Sequence, residues 1–532
     1  MSDIVVGKNT LETLSTGMYV DPRTIYREYI QNATDSIDAA IRQGIITKEE
    51  GEIHIKINTK NRTISVRDNG VGIPCEKVLN TLSDVGNSGK DYTENRGFRG
   101  IGRLAGLAYC KTLYFITSAK GEAVESVMKW DCKRMKELLS PSNNSVKTLV
   151  EVIEAISSIC PSRPAKKDDH YFEVLMEDVD DDEKGNELID ENNIKNYLSI
   201  VAPVDFDGQK FRQAKKIKEF YVEKGQTIST YRIFFGDRKQ PIYKLYTQRL
   251  DTSVGRGKQK EDEFVKDVEL LYGTAKDGKP LYIGWLAITG FSGQIRDVNL
   301  RGIRLRKSNI QIGDAQTFDS YFPSEGYAAN KMFAGEIHVL DKDIIPNSQR
   351  DDFEPNDALS ELKKTLSQWA GEINRKYRRG TSASSSAMRR IEEGLKQQQE
   401  IAEKIERGGV SSDAKKEELA KALERVQRTI KRESSSLQRA IKKSGADDER
   451  QEKVNSLLER AKKSSSEATS LSNKIVQAKY ATKEDLSTSY SREERKLYQR
   501  IIGVIDSFFA DDPKIAESLR EKIKQELSVK KK

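Results

Sequence analysis

Three short segments carry the strongest structural signal in this chain: Arg27-Glu28-Tyr29-Ile30-Gln31-Asn32-Ala33-Thr34-Asp35, Val66-Arg67-Asp68-Asn69-Gly70-Val71-Gly72-Ile73-Pro74 and Gly97-Phe98-Arg99-Gly100-Ile101-Gly102-Arg103. The first lies in an amphipathic pattern that predicts a helix over Thr24 to Arg42. The second ends a predicted strand in a glycine turn. The third is a glycine loop that runs into a predicted helix, Gly102 to Tyr109. Their order predicts one mixed α/β domain at the N-terminus.

Three polar residues of the first segment share one helix face. Glu28, Asn32 and Asp35 stand at i, i+4 and i+7 on a helix with about 3.6 residues per turn. The amide oxygen of Asn32 suits Mg²⁺, which takes few protein ligands and keeps its waters. Glu28, one turn away, could hold a water and accept its proton as the water attacks a γ-phosphate. The same spacing is also typical of an ordinary polar helix surface.

The second segment offers a carboxylate beside a flexible turn. Asp68 ends a predicted strand, where it stands on the same face as Ile64 and Val66. Its carboxylate can accept a hydrogen bond from an exocyclic amine such as that of adenine. Gly70 and Gly72 let the backbone approach a flat ring, and Ile73 follows them. The alternative interpretation is a plain Asp-Asn-Gly hairpin turn.

The third segment resembles an anion-binding loop. Residues Gly97, Phe98, Arg99, Gly100, Ile101 and Gly102 supply backbone N–H groups before a helix start, which is where phosphates bind. It is not a Walker A loop, because the Gly-Lys-Ser/Thr ending is missing. Ser83 to Arg96 precedes it and is rich in Gly, Asn, Ser and Asp. This composition predicts a mobile flap that closes over a nucleotide.

Together the three segments resemble the GHKL superfamily, which includes DNA gyrase B, Hsp90, histidine kinases and MutL and whose α/β sandwich is called the Bergerat fold. The resemblance covers about residues 1 to 200 and implies ATP and Mg²⁺ as ligands. It implies that Glu28 is the catalytic base, Asn32 the Mg²⁺ ligand, Asp68 the adenine contact, and Gly97 to Gly102 the lid hinge and phosphate loop. The family's Gly-Thr on a later strand is missing from the best candidate, His170-Tyr171-Phe172-Glu173-Val174.

A later segment, Pro346-Asn347-Ser348-Gln349-Arg350, resembles the catalytic loop of the Hsp90 middle domain. The resemblance implies that Arg350 reaches the γ-phosphate and stabilises charge during transfer. The alternative is a local ion pair of Arg350 with Asp351, Asp352 or Glu354. With this segment, the first 375 residues resemble an Hsp90-type ATPase core with a transducer domain, as in compact bacterial Hsp90-like proteins.

The remaining sequence predicts a helical tail. Apolar residues at a/d spacing from Met388 to Ile475 predict coiled-coil helices, broken at Gly408-Gly409 and Gly445. A Ser-rich stretch, Ser382 to Ser386, predicts a linker. We therefore expect an ATP-binding domain over 1–204, a transducer domain over 205–378, a linker over 379–387, a coiled-coil region over 388–480 and a helical unit over 487–532, in which Ser491 and Glu494 predict a capping box.

Composition limits the classes of protein further. The 91 Lys and Arg residues exceed the 83 Asp and Glu residues by a net charge of +8, which permits nucleic-acid binding without requiring it. The four cysteines form no Cys-x-x-Cys pair, so we expect neither a zinc site nor a disulfide framework, and a cytoplasmic location. No run of about 18 apolar residues exists, so we expect no membrane span and no membrane as a partner.

These patterns predict an ATPase that acts as an ATP-driven, chaperone-like conformational clamp. We expect a homodimer, formed by ATP-dependent association of the N-terminal domains and by the helical tail, with protein clients or partners. A nucleic-acid clamp of the MORC, MutL or topoisomerase type stays open, since Arg301, Arg304, Arg306 and Lys307 form a basic strand. A nucleotide-gated scaffold with little hydrolysis is the third alternative.

Overall fold

The computed structural model describes residues 5–15, 17–18, 21–86, 96, 100–143, 145–254, 259–291, 293–406, 413–444, 448–477, 491–509 and 513–529. They form two compact units, Met1–Asn374 and Arg375–Lys532. The predicted loop residues Gly97, Phe98 and Arg99, most of the predicted flap and the predicted helix breaks lie outside the described residues. Among the described helices, none combines the length and apolar character that crossing a membrane requires.

The first unit alternates helices and strands, as the sequence predicts. Its α-helices are α1 (Asn9–Ser15), α2 (Thr24–Arg42), α3 (Val78–Ser83), α4 (Cys132–Leu139), α5 (Leu149–Ile156), α6 (Glu183–Leu188), α7 (Glu191–Val201), α8 (Ala214–Glu223) and α9 (Asp357–Ile373). Its strands are β1 (Glu52–Asn58), β2 (Thr63–Asp68), β3 (Cys110–Ser118), β4 (Val124–Asp131), β5 (Ser157–Ile159), β6 (Arg163–Pro164), β7 (Tyr171–Val179), β8 (Arg232–Phe235), β9 (Arg249–Val254), β10 (Gln259–Phe264), β11 (Asp267–Thr274), β12 (Pro280–Ile288), β13 (Gln294–Ile295), β14 (Gly302–Lys307), β15 (Ile310–Ile312) and β16 (Ala334–Val339). The mixed α/β class predicted from the sequence is confirmed.

One sheet carries the N-terminal motifs. Within the described residues it has eight strands in the order β5-β4-β3-β7-β2-β1-β8, with β6 paired to β4. Helix α2 packs on it through buried residues such as Ile30 and Ile37, because its apolar residues recur at helical spacing while those of β1 and β2 alternate. This two-layer packing brings the polar face of α2 beside the end of β2, where Asp68 lies.

The edge strand β8 pairs in parallel with β1, so the first sheet takes in a strand from the predicted transducer region 205–378. The rest of that region has a five-stranded sheet in the order β11-β12-β16-β14-β15 and a three-stranded sheet in the order β10-β9-β13, counting described residues. An aromatic cluster of Phe206, Phe211, Tyr246 and Trp285 fills the core beneath them. The predicted boundary at residue 204 stays a prediction.

The basic strand β14 is not a surface feature. Arg304 and Arg306 are buried, and Arg306 Nε lies 2.6 Å from Glu336 Oε1. Lys244 Nζ lies 2.6 Å from the other oxygen of Glu336, and His338 Nε2 lies 3.2 Å from that oxygen. Burial lowers the pKa of Lys244 to about 7, and Arg306 adds to this effect against the attraction of Glu336. These cations serve a buried ion-pair network, which sequence alone could not distinguish from an exposed basic patch.

The second unit begins with three long helices, α10 (Gly380–Glu406), α11 (Asp413–Ser444) and α12 (Asp448–Gln477). Ile391, Leu437 and Val454 share one apolar cluster, and Ile401, Leu419 and Ile475 share another. The start of α10 therefore lies beside the end of α11 and the start of α12, so successive helices run antiparallel. Gln398 is a polar residue buried in this seam, and it bonds to Ser464 and Gln427. The linker predicted over 379–387 is wrong, since α10 includes nearly all of it. Alanine favours a helix and serine tolerates one when the following turns pack.

The chain continues with α13 (Arg492–Phe508) and α14 (Pro513–Val529). The capping box predicted at the start of α13 is confirmed: Ser491 Oγ accepts from the Glu494 N–H, and the Glu494 side chain accepts from the Ser491 N–H. Helix α13 leaves four apolar side chains exposed at intervals of four, three and four residues, namely Leu497, Ile501, Val504 and Phe508. This stripe is called the α13 stripe below.

Candidate active site

A cavity of about 370 Å³ opens where the three N-terminal motifs meet. Its wall contains ten of the residues predicted for a nucleotide site, namely Glu28, Asn32, Asp35, Asp68, Gly72, Ile73, Gly100, Ile101, Gly102 and Arg350. Gly70 lies outside this wall and donates its N–H to Asp68 Oδ1 at 2.8 Å. The fold therefore brings together residues that are far apart in sequence, including one from the later Pro346–Arg350 segment.

Glu28 and Arg350 form an ion pair in the cavity wall. Arg350 Nε lies 3.2 Å from Glu28 Oε1, and both side chains are largely buried. Arg27, the neighbour of Glu28 on α2, also donates from Nη2 to the Gln349 carbonyl at 2.9 Å. The ion pair shown for Arg350 is thus with Glu28 rather than with the neighbouring acids that were the local alternative. Two successive α2 residues hold the 346–350 segment.

The Arg350 backbone has an unusual conformation. Its φ is 58°, in the left-handed region that costs a non-glycine residue about 1 kcal/mol or more. A tight loop fixes it: Pro346 and Phe353 form a β-bridge, and the Arg350 N–H donates to the Asn347 carbonyl. The Arg350 carbonyl accepts from the Gly313 N–H at 2.7 Å. The loop therefore presents the guanidinium toward α2 at some conformational cost.

Arg96 connects the end of the predicted flap to both α2 and Arg350. Its N–H donates to Asp35 Oδ1 at 3.0 Å, and Nη1 donates to Asp38 Oδ2 at 2.7 Å. Nη2 donates to the Tyr231 hydroxyl at 2.8 Å, while its carbonyl accepts from Arg350 Nη2 at 2.9 Å. Burial lowers the pKa of Arg96, but Tyr231 and the two carboxylates outweigh burial and raise it. Asp35 is thus paired with protein groups.

Gly102 closely approaches the Glu28 carboxylate, so a larger residue there would displace the Glu28 side chain. A Cβ atom at residue 102 would lie 2.5 Å from Glu28 Oε2, closer than packed atoms tolerate. The helix predicted from Gly102 to Tyr109 is present as a 3₁₀-helix, Gly102–Ala108. Tight i→i+3 turns are common in short connectors, and sequence pattern does not distinguish them from one α-helical turn.

At the opposite end of the wall, Asp68 is buried on β2 directly across from Phe172 of β7. The strand beside Asp68 is therefore the predicted candidate strand, and its residue opposite Asp68 is a phenylalanine. A buried hydroxyl comes instead from Thr117 of β3, which accepts from the Ile73 N–H at 2.8 Å and donates to the Tyr171 carbonyl at 2.9 Å. Gly72 has a φ of 66°, and a Cβ there would lie 2.0 Å from the Ser118 carbonyl oxygen.

Sequence reasoning missed several residues of this site. Gln31, Ser36, Ala39, Val71, Thr81, Leu82, Arg103, Phe172 and Ser348 also line the cavity. Gln31 stands three residues after Glu28 and Ser36 stands four residues after Asn32, so helical spacing could have suggested both. Arg96 and Thr117 carried no local signal, because their importance arises from partners more than 40 residues away.

The cavity wall has donors that suit a Mg-nucleotide. Asn32 offers one neutral amide oxygen, and the buried Gln31 Oε1 has no hydrogen-bond partner among the described residues. Mg²⁺ keeps several waters and binds substrate phosphates in addition to one or two protein ligands, so an amide-containing wall fits it. The acidic Glu28 and the cationic Arg350 lie at one end, and Asp68 lies toward the other, since Gly70 approaches Ser36, two helical turns beyond Glu28 on α2.

Residues 22–159 match the family described as histidine kinase-, DNA gyrase B-, and HSP90-like ATPases. This stretch contains all three N-terminal motifs. It is a GHKL-type ATPase domain. The GHKL domain covers about a quarter of the chain, and the Arg350 loop lies beyond it in the same compact unit.

Bacterial chaperones have sequences similar to the GHKL domain. The chaperone protein HtpG of Bacillus licheniformis is 27% identical over 140 residues, which are 23% of this chain and 22% of the relative. HtpG of Halalkalibacterium halodurans is 29% identical over 140 residues, which are again 23% of this chain and 22% of the relative. HtpG of Nocardia farcinica is 23% identical over 190 residues, or 31% of this chain and 28% of the relative. The chain thus matches less than a third of each relative's length.

Proposed function

We propose that this protein hydrolyses Mg-ATP in the cavity of the GHKL domain and uses the reaction to change its conformation. The proposal depends on one observation. Glu28 and Arg350, the two residues expected to act on the γ-phosphate, lie 3.2 Å apart although 322 residues separate them. A carboxylate and a guanidinium side by side in one cavity can accept a proton and stabilise phosphoryl charge, respectively.

The proposed reaction is in-line hydrolysis. A water held by Glu28 attacks the γ-phosphorus and gives one proton to the Glu28 carboxylate. The bond between the γ-phosphorus and the β–γ bridging oxygen breaks, and ADP and inorganic phosphate leave. Arg350 stabilises negative charge on the transferring phosphoryl group. Asp68 accepts a hydrogen bond from the adenine amine, and the backbone from Gly100 to Gly102 faces the phosphates.

Asn32 is the proposed Mg²⁺ ligand in this wall. Bound Mg²⁺ would supply charge neutralisation of the nucleotide phosphates. The chain's own residues provide the remaining chemistry: Glu28 takes the proton, and Arg350 supports the developing charge. Asp35 is the least direct of the predicted contacts, because its carboxylate already accepts from the Arg96 N–H.

The network around Arg96 supports a conformational role for ATP. Arg96 lies just before the glycine loop and bonds through its carbonyl to Arg350 and through its side chain to Tyr231 and α2. A movement of the glycine loop around ATP therefore changes the position of the Arg350 loop. We propose that this coupling makes the protein an ATP-driven clamp.

The chain is proposed to act as a homodimer. The α13 stripe has the 4-3-4 spacing of a helix-pairing seam and is exposed, and a second copy presents an identical stripe. Val504→Glu should reduce self-association measured by light scattering of the full chain, whereas the neighbouring exposed change Arg500→Glu should not. Equal masses for wild type and both variants would contradict self-association through this stripe.

Arg350→Ala tests the proposed chemistry. Its hydrolysis rate should fall by about 10³-fold, the lower end for a transition-state arginine, with little change in ATP affinity. The expected signature is a lower kcat at constant KM. Arg134→Ala, which removes an exposed arginine from the same unit, is the matched control. A normal turnover in Arg350→Ala would remove Arg350 from the reaction.

A chaperone-like role is preferred over a nucleic-acid clamp, because Arg304 and Arg306 of the basic strand are buried in the structure. Buried cations do not neutralise the phosphates of a duplex. If the protein is chaperone-like, unfolded protein should raise ATP turnover with little salt dependence. DNA-stimulated turnover that weakens steeply with salt would favour the alternative. The third alternative, a scaffold with little hydrolysis, predicts that Glu28→Ala leaves an already low rate unchanged. The cytoplasmic location stays a prediction.

A further inference from the structure

Arg103 is a second cation in the cavity wall, and sequence reasoning assigned it no role. It follows Gly102 at the start of the 3₁₀-helix Gly102–Ala108, and it lines the same cavity as Glu28 and Asp68. Its Nε and Nη2 atoms are buried, and neither has a hydrogen-bond partner in the part of the chain that the structure describes. A guanidinium carries five N–H donors and no acceptor, so its burial without acceptors is unfavourable.

The other arginines of this wall and its surroundings bond to protein groups. Arg350 donates to Glu28 and to the Arg96 carbonyl, and Arg96 donates to Asp38 and Tyr231. Arg27 donates to the Gln349 carbonyl. Arg103 differs from all three, since no hydrogen bond from its guanidinium to a described residue is present and no described carboxylate lies within ion-pair distance. An acceptor from outside the chain would complete its contacts.

The electrostatic surroundings of Arg103 indicate an anionic acceptor. Burial lowers the pKa of Arg103, while the charge of Asp84 acts in the opposite direction. A buried cation with weak compensation attracts a negative ligand strongly, because few waters screen it. Phosphate oxygens match the planar guanidinium fork better than a ribose or a base does.

The position of Arg103 selects one part of a nucleotide. Its peptide neighbour Gly102 lies against Glu28, whereas Gly70, two residues after Asp68, lies against Ser36, about 12 Å further along α2 at about 1.5 Å per residue. Asp68 is the proposed adenine contact, so the Gly102 end faces the phosphate chain. We propose that Arg103 binds the phosphate chain of the nucleotide through its Nε and Nη2 donors. This inference depends on the proposed function, because it assumes that the cavity holds ATP.

Binding of a ligand series tests the assignment. Calorimetry with adenosine, AMP, ADP and ATP is performed on full-length wild type, Arg103→Ala, Arg103→Lys and the control Arg134→Ala. Arg103→Ala should bind adenosine as wild type does and should lose about 10- to 100-fold in affinity for ADP or ATP, the loss expected for one charge-assisted contact. Arg103→Lys should recover part of that loss. The shortest ligand that shows the loss identifies the phosphate contacted.

The outcomes separate this inference from the proposed function. Wild type that binds no adenine nucleotide would overturn both. Wild type that binds ATP, together with Arg103→Ala that binds it equally well, would overturn only the role of Arg103. An equal loss for adenosine, AMP, ADP and ATP would also overturn it, because a packing residue affects the whole site alike. Retained adenosine binding by Arg103→Ala shows in the same experiment that the domain is folded.

Discussion

Replacing Arg96 with alanine should destabilise the first unit more than any exposed arginine would. The Arg96 side chain is 11% exposed and donates to Asp38 at 2.7 Å, to Tyr231 at 2.8 Å and to Asp35 at 3.4 Å. Arg96→Ala leaves Asp35 and Asp38 one helical turn apart on α2 without this cation. Tyr231 still donates to Asp38 at 2.7 Å, so one carboxylate keeps a partner.

The expected loss in the free energy of unfolding follows from these contacts. Removing one partner of a buried ion pair costs about 3–5 kcal/mol, and each charge-assisted hydrogen bond contributes about 1.5–3 kcal/mol. The remaining Tyr231 bond and the partial exposure reduce this cost. We therefore expect the free energy of unfolding to fall by about 3 kcal/mol in Arg96→Ala and by roughly half of that in Arg96→Lys.

Tryptophan fluorescence during urea unfolding measures this change. Trp130, Trp285 and Trp369 are the three tryptophans of the chain, and all lie within Met1–Asn374, so the signal reports on the first unit. Arg134→Ala is the matched control, since its exposed ion pair with Glu137 should contribute less than about 1 kcal/mol. An Arg96→Ala effect no larger than that of the control would refute the assigned role of Arg96.

Three further predictions test the site and its support. Thr117→Val keeps the side-chain shape but removes the hydroxyl that bonds to the Ile73 N–H and the Tyr171 carbonyl. Urea unfolding should therefore show a loss of about 1–3 kcal/mol in the free energy of unfolding, and an unchanged midpoint would contradict this. Gly102→Ala should displace Glu28 and slow ATP turnover at least about 10-fold, which corresponds to a rise of about 1.4 kcal/mol in the activation free energy. Normal turnover would show that the cavity wall can adjust. Burial lowers the pKa of His338 to about 4, so the unfolded chain takes up the proton first and His338 costs stability as the pH falls from about 6.5 to about 4. The charged groups that face His338 are Glu336, Lys244 and Arg306. Over that pH window, the free energy of unfolding of His338→Gln should fall by up to about 3 kcal/mol less than that of wild type, and identical pH profiles would contradict this.

Local patterns predicted the parts of the fold that depend on neighbouring residues. Helix α2 spans Thr24–Arg42 as its apolar spacing predicts, and the capping box at Ser491 forms as its sequence predicts. The three N-terminal motifs also meet around one cavity. Each motif has a helix, a turn or a glycine loop that encodes its own shape, and their order along the chain restricts how they can assemble.

Tertiary contacts determined the features that the sequence did not reveal. Strand β8 joins the first sheet through parallel pairing with β1, which no turn or periodicity encodes. Arg304 and Arg306 look like a surface patch in sequence, yet Glu336 and backbone carbonyls compensate them in the core. Arg96 likewise depends on residues from α2 and from the segment before β8. Such partners are chosen by the completed fold, so local sequence could not identify them.

The direct measurement of the central claim is single-turnover hydrolysis of bound ATP by Glu28→Gln, with ATP affinity measured on the same sample. Glutamine keeps the size of the side chain and cannot accept the water proton. The account predicts ATP affinity near that of wild type and hydrolysis slower by about 100-fold or more. The exposed change Glu50→Gln should leave both quantities unchanged. Hydrolysis by Glu28→Gln at the rate of an active wild type would contradict the assignment of Glu28 as the base.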